Sequence, residues 1–143
     1  MFNVTDDWKS AFPGAAGGIL AMSNVANPSR DDALEEAKRG LEEELRSRFA
    51  GADRTTLRDL GPIRAYNEHY RKHRKTYHVQ LQLESVALKG RPLPRVAALV
   101  EAMFMAEVKN MLLTAGHDLD AVQGPITLDV STGDERYTLM NGQ

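Results

Sequence analysis

The sequence predicts an α+β fold: a single domain in which strands pack against a central buried helix. Three observations carry this reading. The run 96 to 113 is apolar on nearly every side, and a helix apolar all round sits in the middle of a domain. The run "NPSRDDALEEAKRGLEEELRSRFAG" is apolar on one face only. The segments "PITLDV", "STGD" and "ERYTLM" (125 to 140) read as strand, turn and strand, which is a hairpin.

The elements follow in chain order. "GAAGGILAMSNV" opens flexible and turns apolar, so a core strand is expected near 17 to 23. Asn27 or Ser29 can cap the next helix, and Pro28 suits a first helical position. Leu34, Ala37, Leu41, Leu45 and Phe49 recur at steps of three and four and give that helix its apolar face. Its acids lead and Arg46 and Arg48 trail, as the helix dipole favours. Gly51 ends it, and Gly40 inside it costs up to ~1 kcal/mol. A second helix is expected from about Pro62. Val79, Leu81 and Leu83 alternate as in a strand, while Leu81, Leu88 and Gly90 also fit a short helix; the reading leans to helix. "RPLP" turns the chain before the long apolar helix. Leu99, Phe104 and Leu112 are expected in the core. "LMNGQ" carries an Asn-Gly turn with no returning strand, so a further strand is expected past Gln143.

The 143 residues suffice for one compact domain. A net charge of −2 gives no global basic field, so any nucleic-acid site must be a local patch. The absence of cysteine excludes disulfides, thiolate zinc sites and a Cys nucleophile. "MFNVTDDWKSAFPG" lacks the apolar run of a signal peptide. Glu101, Glu107 and Lys109 make 96 to 113 a poor membrane span. A cytoplasmic location with no membrane partner is therefore expected.

The order "LKGRPLPRVAALVEAMFM", "DLDAV" and "GPITLDVSTGDERYTLMNG" resembles the B3/B4 editing domain of the phenylalanyl-tRNA synthetase beta subunit, and more closely the stand-alone bacterial proteins built on that domain. The resemblance covers about residues 61 to 142. It implies a phenylalanyl-tRNA synthetase beta-like domain, a tRNA partner (not DNA), an amino-acid-like ligand, and no cofactor or metal. In the synthetase this domain hydrolyses tRNA charged with the wrong amino acid. Anchored on Asp118-Leu119-Asp120, the family's Thr-Asn positions hold Met103 and Phe104, and its His position holds Ala115. An aminoacyl-tRNA ester hydrolase is thus one expectation. A non-catalytic module for a small ligand or a protein is the other. No catalytic residue is assigned.

Two groups of candidate residues emerge. "HYRKHRKTYH" (69 to 78) carries Arg71, Lys72, Arg74 and Lys75, which suit RNA phosphates, and Tyr70 and Tyr77, which suit unpaired bases. The alternative is a solvated helix end, where cations favour the dipole. His69 and His73 are four apart, but two ligands beside those cations do not make a metal site. A pocket beside the apolar helix would be lined by Met103, Phe104, Glu107, Met111 and His117, although Met and Phe at helical spacing also suit a plain core. His117 beside Asp118 and Asp120 could act as a base or sit in a capped loop. Of Glu101, Glu107, Lys109 and Asn110, one is expected to face a cavity or a polar strand end, because an unpaired buried carboxylate is costly. "PGAAGG" lacks the Gly-Lys-Ser/Thr ending of a phosphate loop.

Overall fold

The computed structural model describes residues 2–136. The sequence predicts a single domain; the chain divides into two compact units, Met1–Ser23 with His117–Gln143, and Asn24–Gly116. Helix dominates, with two short parallel strands. Among the described residues no helix is long and apolar enough to cross a membrane.

The Asn24–Gly116 unit holds five helices. In α2 (Asp32–Arg48) the Asp31 carboxylate accepts the Leu34 N–H at 2.8 Å, which satisfies an otherwise orphaned first-turn donor. The expected cap, Asn27, serves a different helix. Its Oδ1 accepts the Leu99 N–H at 3.0 Å, and the Pro28 carbonyl accepts the Ala98 N–H. Both close the bare N-terminus of α6 (Ala98–Asn110), which has no side-chain cap of its own. The α3 turn (Arg54–Arg58) is capped by Asp53. Pro62 opens α4 (Gly61–Lys72), as expected. The ambiguous stretch is helical: α5 (His78–Leu83) runs into a π-turn at Glu84–Leu88, closed by the Lys89 N–H on the Glu84 carbonyl.

The core is built by Leu41, Leu45 and Phe49 of α2, Leu57, Ile63, Tyr77, Val79, Leu83 and Val86, with Val108 and Met111 from the end of α6. The expected central helix is therefore corrected. It spans 98–110, and its buried residues are Glu101, Glu107 and Val108. Leu99 and Phe104 are half-buried, and Leu112 is 50% exposed. Here the buried positions include two glutamates with partners, while Leu99, Val100, Met103, Phe104 and Met105 are half-buried.

Those glutamates belong to a recurring pattern in which a buried carboxylate ties down a loop. Glu101 pairs with the buried Lys38 of α2 and accepts the Val96 N–H at 2.8 Å. Lys38 also donates to Glu35 at 2.8 Å. Glu42 accepts the Leu93 N–H at 2.8 Å and pairs with Arg46. Glu84 accepts from Arg54 and Gln80. Each answers a backbone or cationic donor, so burial need not neutralise it.

In the other unit β1 (Phe2–Val4) pairs in parallel with β2 (Ile126–Leu128), with Asn3 opposite Thr127. Thr5 caps α1 (Asp6–Ala11) by accepting the Trp8 N–H. The strand expected near 17 to 23 is irregular and exposed, with Ile19 at 58% and Leu20 at 81%. These two strands pair with each other in the unit formed by Met1–Ser23 and His117–Gln143. At the turn expected over "STGD" the chain bends at Gly133, φ +91°. The Glu135 carboxylate accepts from the Ser131 hydroxyl and the Thr132 and Gly133 N–H groups, which pulls its pKa down to about 2. The expected returning strand of the hairpin falls mostly in 137–143, outside the described residues, as does the expected Asn-Gly turn.

Candidate nucleic-acid interface

Helix α4 sorts its residues by face. Ile63 is buried, and Tyr66 and Tyr70 are half-buried against the core. Arg64, Glu68, Arg71 and Lys72 face solvent. The helix then ends in a Schellman turn: the Lys75 N–H donates to the Tyr70 carbonyl, and the Arg74 N–H to that of Arg71, both at 3.0 Å. This closure requires a left-handed residue at 74, where glycine is usual. The residue there is Arg74, with φ +55°. A non-glycine residue in this region costs roughly 1–2 kcal/mol.

The turn is fixed from below by aromatic packing. Tyr77 is fully buried; its ring stacks on Tyr66 at 4.3 Å and 8°, and lies 5.3 Å from Tyr70. The Tyr77 hydroxyl donates to the Met111 carbonyl at 3.2 Å. Burial, then Tyr66 and Glu107, push its phenol well above the ordinary value. The expectation that Tyr77 stacks on an RNA base is thereby corrected, since no face of its ring reaches solvent. Tyr70 is half-buried, and burial raises its phenol too.

The four expected phosphate-binding cations are all exposed: Arg71, Lys72, Arg74 and Lys75. Among the described residues none has an ion pair. His69 and His73 are also exposed, with ring centroids 5.2 Å apart and planes at 54°. No group of three or more metal-ligating side chains occurs among the described residues.

The expected pocket residues differ in burial. His117 is exposed and belongs to the other compact unit. Met103 and Phe104 are half-buried, and Met111 is a buried core residue that ends α6 at φ +58°. Glu107 is buried and accepts the Thr114 N–H at 2.9 Å and hydroxyl at 3.0 Å, so it anchors the chain after α6. His78 Nε2 stands 3.9 Å from that carboxylate. A cleft of about 230 Å³ lies between α2 and α6, lined by Ala37, Leu41, Glu44, Met105, Ala106 and Lys109. None of the five expected residues lines it.

The four-residue spacing of His69 and His73 places both at a helix end but does not announce that their rings meet, at 5.2 Å between centroids. Compared with protein-family models, curated proteins and solved structures, the chain matches none.

Proposed function

We propose that this protein is a tRNA-binding module of the synthetase-editing type, which holds RNA phosphate on the end of α4. The observation that carries the reading is the set of four exposed cations, Arg71, Lys72, Arg74 and Lys75, that have no ion pair among the described residues, in a chain of net charge −2. Solubility does not require such a cluster, and folding would favour glycine over Arg74. Ionic contacts to phosphate release counterions and give salt-dependent affinity without reading sequence. The tRNA class rests on the sequence resemblance, as does a phenylalanyl-tRNA synthetase beta-like fold. The reading is binding rather than ester hydrolysis by the family's scheme, because Met103, Phe104 and Ala115 stand at its polar positions. The second expectation, a small-ligand module, has less behind it: the α2–α6 cleft holds about 230 Å³, and a larger hollow of about 490 Å³ is lined by the charged Arg30, Asp32, Glu35, Glu36, Arg39 and Arg95 instead of the mostly apolar walls of common ligand pockets.

The test is an electrophoretic shift with bulk tRNA, comparing the wild type with the R71E/K72E/R74E/K75E variant. The wild type should bind and the variant should not, with circular dichroism unchanged because all four side chains are exposed. Equal binding by both would refute the proposal.

A further inference from the structure

We propose that the outer face of α6, with the cleft it forms against α2, is a dimer interface whose occupant is a second copy of this chain. The inference is independent of RNA binding and rests on where α6 puts its charges. Its two carboxylates, Glu101 and Glu107, are both buried. From Ala98 to Ala106 no residue that reaches the surface is charged. Met103, Phe104 and Met105 are half-buried there, and Ala102 and Ala106 are exposed. The first exposed charge of the helix is Lys109. A helix apolar all round belongs under cover on every side, yet α6 is covered only on the side of its glutamates. An uncharged face that presents Met has the composition of an interface core.

The rim of the cleft favours a second copy as the cover. Ala37, Leu41 and Glu44 of α2 form one wall, and Met105, Ala106 and Lys109 of α6 form the other. The two helices run in the same direction. Asn27 and Pro28, upstream of α2, meet the start of α6, and Lys38 meets Glu101 further along. Glu44 and Lys109 therefore lie toward the same end of the cleft, on opposite walls. Both are exposed, and among the described residues neither has an ion pair. A twofold axis laid along the helices sets α2 of each copy over α6 of the other. Glu44 then faces the partner's Lys109, and Lys109 faces the partner's Glu44, the reciprocity that an isologous contact requires. A purely acidic or purely basic partner would match one of these charges and oppose the other. The small side chains of Ala37 and Ala106 let the helices approach, and Met105 is flexible enough to fill an irregular gap between them.

The experiment is sedimentation velocity on the full chain, without RNA, from micromolar to sub-millimolar concentration. The wild type should show a reversible monomer–dimer equilibrium. A106E puts a carboxylate in the uncharged face and should be monomeric. E44K and K109E each set like charges opposite one another twice per dimer, so each should weaken dimerisation about 10-fold or more. The E44K/K109E variant restores the opposite signs and should recover the dimer. Circular dichroism should be unchanged throughout, because all three positions are exposed; if A106E loses helix, the charge-swap series decides alone. A monomer at every concentration would overturn the proposal and leave the face to another occupant. An open series of larger oligomers, a dimer indifferent to a folded A106E, or a double variant no stronger than the single ones would overturn it as well.

Discussion

The buried pair between Lys38 and Glu101 ties α6 to α2, and cutting it should cost a large part of the stability of this unit. Both side chains are nearly inaccessible, 5% and 4% exposed. Lys38→Met would leave the Glu101 charge buried with only the Val96 N–H to answer it, a loss of about 3–5 kcal/mol. Glu101→Gln keeps an oxygen for Val96 and leaves Lys38 its second partner, Glu35 at 2.8 Å. Its loss should therefore be smaller, ~2–3 kcal/mol, at or below the lower limit of that range. In the double variant no unpaired charge remains, so the two losses should not add; the cycle should show a coupling of at least ~1.5 kcal/mol. Whole-protein stabilities are ~5–15 kcal/mol, so Lys38→Met should shift the urea midpoint downward by roughly 2 M. Far-UV circular dichroism is the appropriate signal, because helices α2 to α6 lie in this unit. The pair also sets a pH limit. The Lys38 hydrogen bond, and then the Val96 N–H, hold the Glu101 carboxyl below its ordinary 4.5. A depressed folded value stabilises fully above pH 4.5 and is lost as pH falls below it. Burial acts to lower the Lys38 value, but its bonds to Glu101 and Glu35 outweigh this and raise it above 10.5; that contribution is lost only as pH rises through the folded value. Lys38→Met should therefore bring acid unfolding to a higher pH. Single losses under about 0.5 kcal/mol, or strict additivity, would refute the argument.

Three other outcomes follow from local geometry. Arg74→Gly should stabilise by a net ~0.5–1 kcal/mol, the relief of a left-handed residue less the entropy of glycine; thermal unfolding should show this while RNA affinity falls. Gly40→Ala, on an exposed helix face where an added methyl meets nothing within 4 Å, should raise stability by ~0.5–1 kcal/mol in urea titration. Leu45→Ala, at a fully buried site, should cost ~2–5 kcal/mol, whereas Leu112→Ala, half exposed, should stay within about 0.5 kcal/mol; similar losses at both would restore the central-helix reading.

What the sequence determined by itself is local. The apolar face of α2 through Leu41, Leu45 and Phe49, the Pro62 start of α4, the "STGD" turn and the exposure of Arg71, Lys72, Arg74 and Lys75 are all set by residues within a turn or two of each other. The tertiary structure decided which polar groups go inside. Nothing near Glu101 in the chain announces that it is buried, because its partner Lys38 lies 63 residues away. The same distance effect hid Asn27, which caps a helix that begins 71 residues later in sequence at Ala98. It also turned Tyr77 from an expected base-stacking ring into a core plug, since its hydroxyl finds the Met111 carbonyl 34 residues on. A hydrophobic periodicity records how one helix would bury its apolar side chains against an unspecified neighbour. A buried carboxylate or phenol is stable only if a specific donor or acceptor arrives from elsewhere, and only the folded chain supplies it.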